Sequence, residues 1–507
     1  MAHPKKFSLF VILTLFASSL LLTSCFSLVS TISGDKVVPA LSSAAETGQM
    51  LVYTGNDGLY GLSLSSSAAE AVKLVDMPGI SKPVFSQDGS TVAFVQNDNL
   101  SEHNGFIDGY MSEDRLYAYR FSDQKLQLLS DELIYWCPGY KDSFIISSVP
   151  DGIVQVNISG ERQVLLPAEN TETEWDEYEE LMLSPDNRLL AFTKTHHVSD
   201  AESFNGTDTM QNSGVWVLDL THESADANQG LKQLQPGTAP FDHAYMIALY
   251  PLYYPAKWSP DSSKLLIWQE VASGSTTADG VGLSVFDFNT DRLLSIKTYL
   301  LAYPENLQFS EDGTLFMLSG GDRIMSGNKI LQLVTFNIQN SDQLDSTDST
   351  SEITYEELIT SDILPASPVV DSKGQAVYFA GMETPSIDPW YVHWDNSVRR
   401  QLYALRDNSL INLTDDPFYS NESPVLINNG QILFGRIDND YKMSIWRINT
   451  DGSDLTKLVD LKESTFLENY IVWNEGQEPK EPYYSNFPFN YNNFYGRGSW
   501  YDMMAIF

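Results

Sequence analysis

The sequence predicts an all-β protein, built as a β-propeller of seven or eight four-stranded antiparallel blades, with eight favoured. Two observations predict this fold. A short turn-containing phrase returns along the chain, and a second hairpin follows it within each unit. Units of about 40–60 residues with four short strands each are typical of propeller blades, which pack around a central channel and leave few free edges.

The repeated phrase places an apolar residue before a Ser or Asp, then a tight turn, then an alternating apolar strand. Its clear copies are PVFSQDGSTVAF (83–94), LMLSPDNRLLAF (181–192), AKWSPDSSKLLIW (256–268) and LQFSEDGTLFML (307–318). Its weaker copies are PVVDSKGQAVYF (368–379) and PVLINNGQILFG (424–435). The gap between the first two copies is about twice the usual spacing, which predicts a degenerate copy at YWCPGYKDSFII (135–146). GQMLVYTGNDGLYGLSL (48–64) is interpreted as the first of eight units.

The second half of each unit is exemplified by RLYAYRFSDQKLQLLS (115–130) and GLSVFDFNTDRLLSI (282–296). Both show period-2 alternation around a polar turn, which indicates an antiparallel hairpin. Several sandwich domains in a row are the alternative all-β architecture, but they predict neither the repeat nor its register. The Asp-Gly and Asp-Asn pairs of the turns are expected to be structural, because such residues adopt positive φ and bind backbone amides. Five tryptophans in strand phrases are expected to pack between blades: Trp136, Trp216, Trp258, Trp268 and Trp446.

The first 25 residues have the pattern of an export signal. Lys5 and Lys6 precede the apolar run Phe7–Leu22, and small residues follow. The run is shorter than the 18 or so apolar residues of a membrane-spanning helix. The ending Leu-Thr-Ser-Cys resembles the lipobox of bacterial lipoproteins, which implies cleavage before Cys25 and diacylation of its thiol. Ordinary signal cleavage is the alternative.

Over residues 48–475 the repeated phrase and its hairpins resemble the TolB-type propeller repeat, which also occurs in the propellers of prolyl-oligopeptidase-like peptidases. The resemblance implies a fold and a binding role, and it carries no catalytic residue. TolB has a separate N-terminal α/β domain, and the peptidases add a hydrolase domain, for which too little chain follows the eighth unit. The predicted divisions are a signal peptide (1–24), a lipidated tether (25–47), a propeller (48–480) and an aromatic-rich tail (481–507).

Ring closure is assigned to ENYIVWNEG (468–476). The tail 481–507 is expected to pack over one face of the propeller. Its alternative role is a recognition surface for a glycan or a protein partner.

Charge and cysteine content restrict the function. The chain has 67 acidic and 30 basic residues, a net charge of −37, so nucleic acid is not expected as a partner. The acidic runs 171–180 and 341–357 are expected to be solvated loops. The two cysteines are Cys25 and Cys137; with Cys25 acylated no internal disulfide can form, and Cys137 is expected to be a small buried hydrophobe.

The usual catalytic motifs are missing from the sequence: it has no G-x-S-x-G, H-E-x-x-H, Walker A or C-x-x-C pattern. No catalytic residue, metal site or cofactor is therefore predicted. The adjacent pair His196 and His197 follows a strand and precedes a polar insertion; on a regular strand the two side chains point to opposite faces. From a loop they could bind a metal with Asp200 or Glu202. The candidate ligand-binding residues are His196, His197, His243, Tyr253 and Tyr254.

These observations favour a lipid-anchored binding or scaffolding protein at the bacterial cell envelope, facing outside the cytoplasm. Its expected partners are the membrane, through Cys25, and an envelope protein or glycan. The alternative is a propeller enzyme that acts on glycan or peptide at the channel mouth. Two neighbouring carboxylates with raised pKa values in the channel would favour the enzyme.

Overall fold

A computed structural model describes seventeen stretches of the chain: 49–55, 57–65, 70–96, 114–171, 173–199, 209–221, 230–237, 241–242, 251–271, 280–320, 329–338, 352–359, 362–383, 399–427, 430–438, 442–461 and 504–506. All of them belong to the compact unit Ala40–Phe507. They form eight four-stranded antiparallel sheets, and the fourth sheet has one additional short strand. The predicted all-β propeller and its eight blades are confirmed.

The strands of the first four blades are as follows. Blade 1 contains β1 (Met50–Gly55), β2 (Gly58–Ser63), β3 (Val72–Asp76) and the C-terminal strand β33 (Met504–Ile506). Blade 2 contains β4 (Ile80–Phe85), β5 (Thr91–Gln96), β6 (Arg115–Arg120) and β7 (Lys125–Ser130). Blade 3 contains β8 (Tyr135–Pro138), β9 (Ser143–Ser148), β10 (Gly152–Asn157) and β11 (Arg162–Leu166). Blade 4 contains β12 (Glu174–Leu183), β13 (Leu189–Val198), β14 (Thr209–Asp219), β15 (Leu231–Pro236) and the short β16 (Phe241–Asp242).

The remaining blades repeat the same plan. Blade 5 contains β17 (Pro251–Trp258), β18 (Lys264–Val271), β19 (Val281–Asp287) and β20 (Arg292–Leu300). A 3-10 turn, Pro304–Asn306, leads to blade 6, which contains β21 (Leu307–Phe309), β22 (Leu315–Ser319), β23 (Ile330–Phe336) and β24 (Ile353–Glu357). Blade 7 contains β25 (Ile363–Val370), β26 (Ala376–Glu383), β27 (Gln401–Arg406) and β28 (Ser409–Asn412). Blade 8 contains β29 (Ser420–Ile427), β30 (Gln431–Ile437), β31 (Met443–Asn449) and β32 (Thr456–Leu461).

In blades 2 to 8, the order of the four main strands in space follows their order in the chain. The first strands of neighbouring blades contact each other, as β8 does with β12 and β25 with β29. The first strands therefore lie nearest the centre of the ring and the fourth strands lie at its periphery. The degenerate copy predicted at 135–146 is confirmed as the first hairpin of blade 3.

Blade 1 is assembled from both ends of the described chain. β33 pairs with β1 in an antiparallel register that places Ala505 opposite Val52, and it also contacts β4. It occupies the central position that the first strand holds in every other blade. The predicted propeller boundary at residue 480 is therefore corrected, because 504–506 belong to the ring. ENYIVWNEG (468–476), the segment predicted to close the ring, lies outside the described residues.

Apolar clusters fill all eight seams between neighbouring blades. The seam of blades 5 and 6, for example, buries Leu266 and Val285 against Leu315 and Met317. The seam of blades 8 and 1, where the ring closes, is filled by buried apolar side chains in the same way. All five tryptophans predicted to pack between blades belong to such clusters. Because each buried large apolar side chain contributes roughly 1.5–3 kcal/mol, the seams are the main source of stability.

The turns between first and second strands explain the repeated phrase. In blade 5 the Ser259 hydroxyl donates to Asp261 Oδ1 at 2.6 Å, and the Ser263 amide donates to the same oxygen at 3.1 Å. Blades 2, 4 and 6 repeat this arrangement, and the residue after the Asp has a positive φ, such as 68° at Gly89. Hydrogen bonds from Ser310 and Thr314 hold the pKa of Asp312 below its ordinary value. The structural role predicted for these turn residues is confirmed.

Removal of residues 504–507 should destabilise the whole ring. Blade 1 would lose its central strand, and each lost inter-strand hydrogen bond contributes about 1 kcal/mol, so we expect the free energy of unfolding to fall by roughly 2–4 kcal/mol. Urea unfolding followed by tryptophan fluorescence measures the change.

The matched control removes four residues, 484–487, from the segment between β32 and β33. Shortening a long connection changes its closure entropy only slightly, so this variant should unfold as the parent chain does. An equal loss in both variants would contradict the role assigned to β33.

Candidate binding site

The two ends of the ring are not equivalent. Because successive strands of a blade are antiparallel, one end carries the connections from second to third strands and from one blade to the next. This end is called the long-loop face. The other end carries the connections from first to second and from third to fourth strands, and is called the short-turn face.

The lengths of the connections differ between these faces. At the short-turn face, the first-to-second connections of blades 2, 4 and 5 are short turns spanning 86–90, 184–188 and 259–263, although two third-to-fourth connections, 220–230 and 337–352, are longer. At the long-loop face, the second-to-third connections include 97–114, 199–208, 272–280, 320–329 and 384–400. The segment 462–503 also joins β32 to β33 there. Most residues that lie between the strands therefore belong to connections at the long-loop face.

Blade 4 has the longest strands that the structure describes, with 10 residues in β12, 10 in β13 and 11 in β14. Its turn at the short-turn face is the ordinary Ser-x-Asp turn, so the additional length lies at the long-loop face. Residues 174–179, 193–198 and 209–213 are called the blade 4 extension. The run 171–180 was predicted to be a solvated loop; that prediction is wrong, because 174–183 forms β12. Of the run 341–357, residues 353–357 form β24, and 341–351 lie outside the described residues.

One face of the extension carries an aromatic and acidic cluster. Trp175 lies opposite His197 across the strand pair, and their rings stack in parallel with centroids 5.0 Å apart. The Trp175 indole donates to Glu177 Oε1 at 3.0 Å, and Glu177 Oε2 lies 3.2 Å from His197 Nε2. Burial raises the pKa of Glu177, but His197 and the indole outweigh burial and lower it overall. Glu177 is therefore held ionised at neutral pH.

The opposite face of the extension is centred on a buried carboxylate. Asp176 accepts a hydrogen bond from Lys194 Nζ at 2.8 Å on one oxygen and contacts His196 Nδ1 at 2.9 Å with the other. Its side chain is 6% exposed, whereas that of His196 is 35% exposed. His196 and His197 thus point to opposite faces of β13 and have different partners. The strand continues past Lys194, so the pair does not lie in a loop.

The other predicted site residues are distributed as follows. Tyr253 and Tyr254 are neighbours on β17 and pack in different seams, Tyr253 between blades 4 and 5 and Tyr254 between blades 5 and 6. The Thr193 hydroxyl donates to the Tyr253 carbonyl at 3.0 Å, so β17 lies directly beside the extension. His243 and Cys25 lie outside the described residues. Tyr253 therefore lies beside the face of the extension that carries Trp175 and His197, whereas Tyr254 points away from that face.

Two further observations concern the part of the chain that the structure describes. It contains no group of three or more His, Cys, Asp or Glu side chains placed to hold a metal ion. It also contains no helix of sufficient length and apolar character to cross a membrane.

A buried ion pair lies at the long-loop end of the seam between blades 7 and 8. Arg400 Nη1 lies 2.9 Å from Glu422 Oε2, and the Ser420 hydroxyl donates to the other carboxylate oxygen at 2.7 Å. Both charged side chains are 2% exposed. Burial raises the pKa of Glu422, although Arg400 opposes this shift. The partners of Glu422 are a guanidinium and a hydroxyl, an arrangement unlike the two carboxylates expected of a general acid and base pair.

Sequence reasoning missed Trp175, Asp176 and Glu177, which lie in the run assigned to a loop. Their period-2 alternation was the available signal, because Trp175 and Glu177 fall on one face and Asp176 on the other. Arg400 and Glu422 carried no local signal.

No family model matches the sequence, and no curated protein matches it. Among solved structures, the chain is similar to a puromycin-hydrolyzing peptidase of Mycobacterium tuberculosis, with 12% identity, a TM-score of 0.45, and coverage of 76% of this chain and 55% of that chain. A protein of Agrobacterium tumefaciens assigned as TolB gives 12% identity, a TM-score of 0.28, and coverage of 81% and 88%. The chain thus spans about half the length of that peptidase. At these identities the likeness concerns the fold, and the activities in these names belong to those proteins.

Replacement of Glu422 by Gln should destabilise the protein strongly. Removing one partner of a buried ion pair leaves the other charge uncompensated, which costs roughly 3–5 kcal/mol. Urea unfolding at neutral pH measures the loss.

Asp460→Asn is the matched control, because Asp460 pairs with Lys457 on the surface with side chains 58% and 44% exposed. Exposed pairs contribute at most about 1 kcal/mol. Equal effects of the two substitutions would show that the Arg400–Glu422 pair is not a buried structural contact.

Proposed function

We propose that this protein is an exported, lipid-anchored β-propeller that binds a partner at the bacterial cell envelope through its long-loop face. The observation that carries the proposal is the blade 4 extension, which projects at the same end of the ring as most of the long connections. Binding sites in repeat scaffolds are commonly carried by such connections on a rigid framework.

The chemistry of the extension suggests the class of partner. Trp175 supplies an aromatic surface, while Glu177, His196 and His197 supply groups that accept or exchange hydrogen bonds. The net charge of −37 disfavours polyanions. An envelope protein with basic or hydroxyl groups, or a glycan, fits these properties.

The anchor rests on the sequence alone. The lysines, the apolar run and the Leu-Thr-Ser-Cys ending support export and lipidation at Cys25. All eight blades are built from residues 49–506, so the ring is complete without the leader.

Lipidation is tested with two single substitutions. Cells labelled with a palmitate analogue should incorporate it into the parent chain and into Cys137→Ala, but not into Cys25→Ser. Cys137 is a suitable control because burial raises the pKa of its thiol to about 12, which makes it unreactive. Label retained by Cys25→Ser would contradict the anchor.

Partner binding is tested with the chain from residue 26 onward. The chain is used to capture material from envelope extract, and a recovered protein or glycan is then titrated by calorimetry. Trp175→Ala should weaken binding at least about fivefold, since aromatic side chains contribute much of the energy at interfaces.

Tyr140→Ala is the control for this titration, because Tyr140 is a 51% exposed aromatic residue in the blade 3 turn at the short-turn face. It should leave the affinity unchanged. A partner that is weakened by Tyr140→Ala and not by Trp175→Ala would assign binding to the other face.

A further inference from the structure

The most exposed large apolar side chain that the structure describes lies at the long-loop face. It is Phe418, 64% exposed, in the connection 413–419 that joins β28 of blade 7 to β29 of blade 8. Its neighbours Asp415 and Pro417 are also exposed. Single exposed apolar residues are common on protein surfaces, so exposure alone does not indicate a contact. What distinguishes Phe418 is the turn that holds it.

The turn that carries Phe418 is fixed by hydrogen bonds. The Phe418 amide donates to Asp416 Oδ1 at 3.0 Å, so the Asp side chain closes a turn around Pro417. The Gln401 side-chain amide donates to the Asp416 carbonyl at 3.0 Å, and its oxygen accepts from the Asp416 amide at 3.3 Å. Pro417 further restricts the backbone through its fixed φ. The backbone that presents Phe418 therefore has little conformational freedom to lose.

A buried arginine of blade 8 holds the same turn. Asp416 Oδ2 accepts from Arg436 Nη2 at 2.6 Å, and the Arg436 side chain is only 1% exposed. The Arg436 guanidinium also contacts two rings, 4.1 Å from the centroid of Tyr419 and 4.6 Å from that of Trp446. Cation–π contacts and charge-assisted hydrogen bonds are stronger when the groups are removed from water. A side chain held on so fixed a turn loses less entropy when it binds.

We propose that Phe418 inserts into an apolar pocket of a protein partner, and that lysine or arginine side chains at the rim of that pocket pair with Asp415. The exposed Asp415 carboxylate lies beside the ring in sequence, and a basic rim suits a chain whose net charge is −37. A glycan offers no apolar pocket for a phenyl ring, so this contact favours a protein. The inference rests on the proposed function, since it adds a second contact at the long-loop face, on blades 7 and 8 instead of blade 4.

The first test is photo-crosslinking of the full chain in its own cells, with Phe418 replaced by p-benzoylphenylalanine. Irradiation should attach one protein at position 418, and the attached peptide should contain apolar residues together with lysine or arginine. The same replacement of Tyr140, on the short-turn face, is the control and should not capture that protein. A crosslink to a second copy of this chain, to an acidic peptide, or to no protein would overturn the proposal.

The captured protein is then titrated by calorimetry against the chain from residue 26 onward. Phe418→Ala should weaken binding at least about tenfold, whereas Phe418→Leu should retain part of the affinity. Asp415→Asn should weaken binding about threefold and reduce its dependence on NaCl, because it removes a charge pair. Asp460→Asn, at a carboxylate that is 58% exposed, should do neither. Because the Phe418 side chain is mostly exposed, the unfolding curve of Phe418→Ala should match that of the parent chain.

The outcome of Trp175→Ala on the same partner separates this contact from the proposed function. If Trp175→Ala weakens binding and Phe418→Ala does not, the proposed function stands and the contact through Phe418 is overturned. If Phe418→Ala alone weakens binding, the contact stands and the assignment to the blade 4 extension fails. If neither substitution weakens binding, both proposals fail.

Discussion

The structure depends on the requirement that both faces of every sheet be covered. A four-stranded sheet with two apolar faces needs two neighbours, and a row of such sheets leaves two uncovered faces unless it closes. Closure here depends on a pairing of three residues, with Ala505 opposite Val52. This pairing completes blade 1, whose other strands contribute the apolar side chains of the seams against blade 8 and against blade 2. A pairing of only three residues therefore closes the ring.

Closure also makes the two ends of the ring suitable for different roles. At the short-turn face each Ser-x-Asp turn satisfies its own backbone amides, as Asp261 does for Ser263, and adds little surface. At the long-loop face the connections can lengthen at low cost, because each doubling of loop length costs only about 0.6 kcal/mol in closure entropy. The blade 4 extension lengthens strands instead of a loop, so its side chains gain fixed positions from strand pairing.

The fold was largely predictable because its signals are local. The turn phrase repeats, and even the degenerate copy at 135–146 kept a turn between two apolar strands. The closing strand β33 was not predictable, since three residues show no measurable period. The run 171–180 was misread because its charges suggest solvent exposure. The partners of Asp176 are Lys194 and His196, which only the pairing of β12 with β13 brings into contact. Likewise Arg400 and Glu422 are 22 residues apart and meet only in the assembled seam.

Basic residues described at the long-loop face neutralise buried carboxylates. In so acidic a chain, a buried carboxylate such as Asp176 or Glu422 requires a cation, and Lys194 and Arg400 meet that need. The same contacts fix the two cations: the side chain of Arg400 is 2% exposed and that of Lys194 is 30% exposed. A change in either carboxylate would leave its cation uncompensated and would lower the stability of its blade.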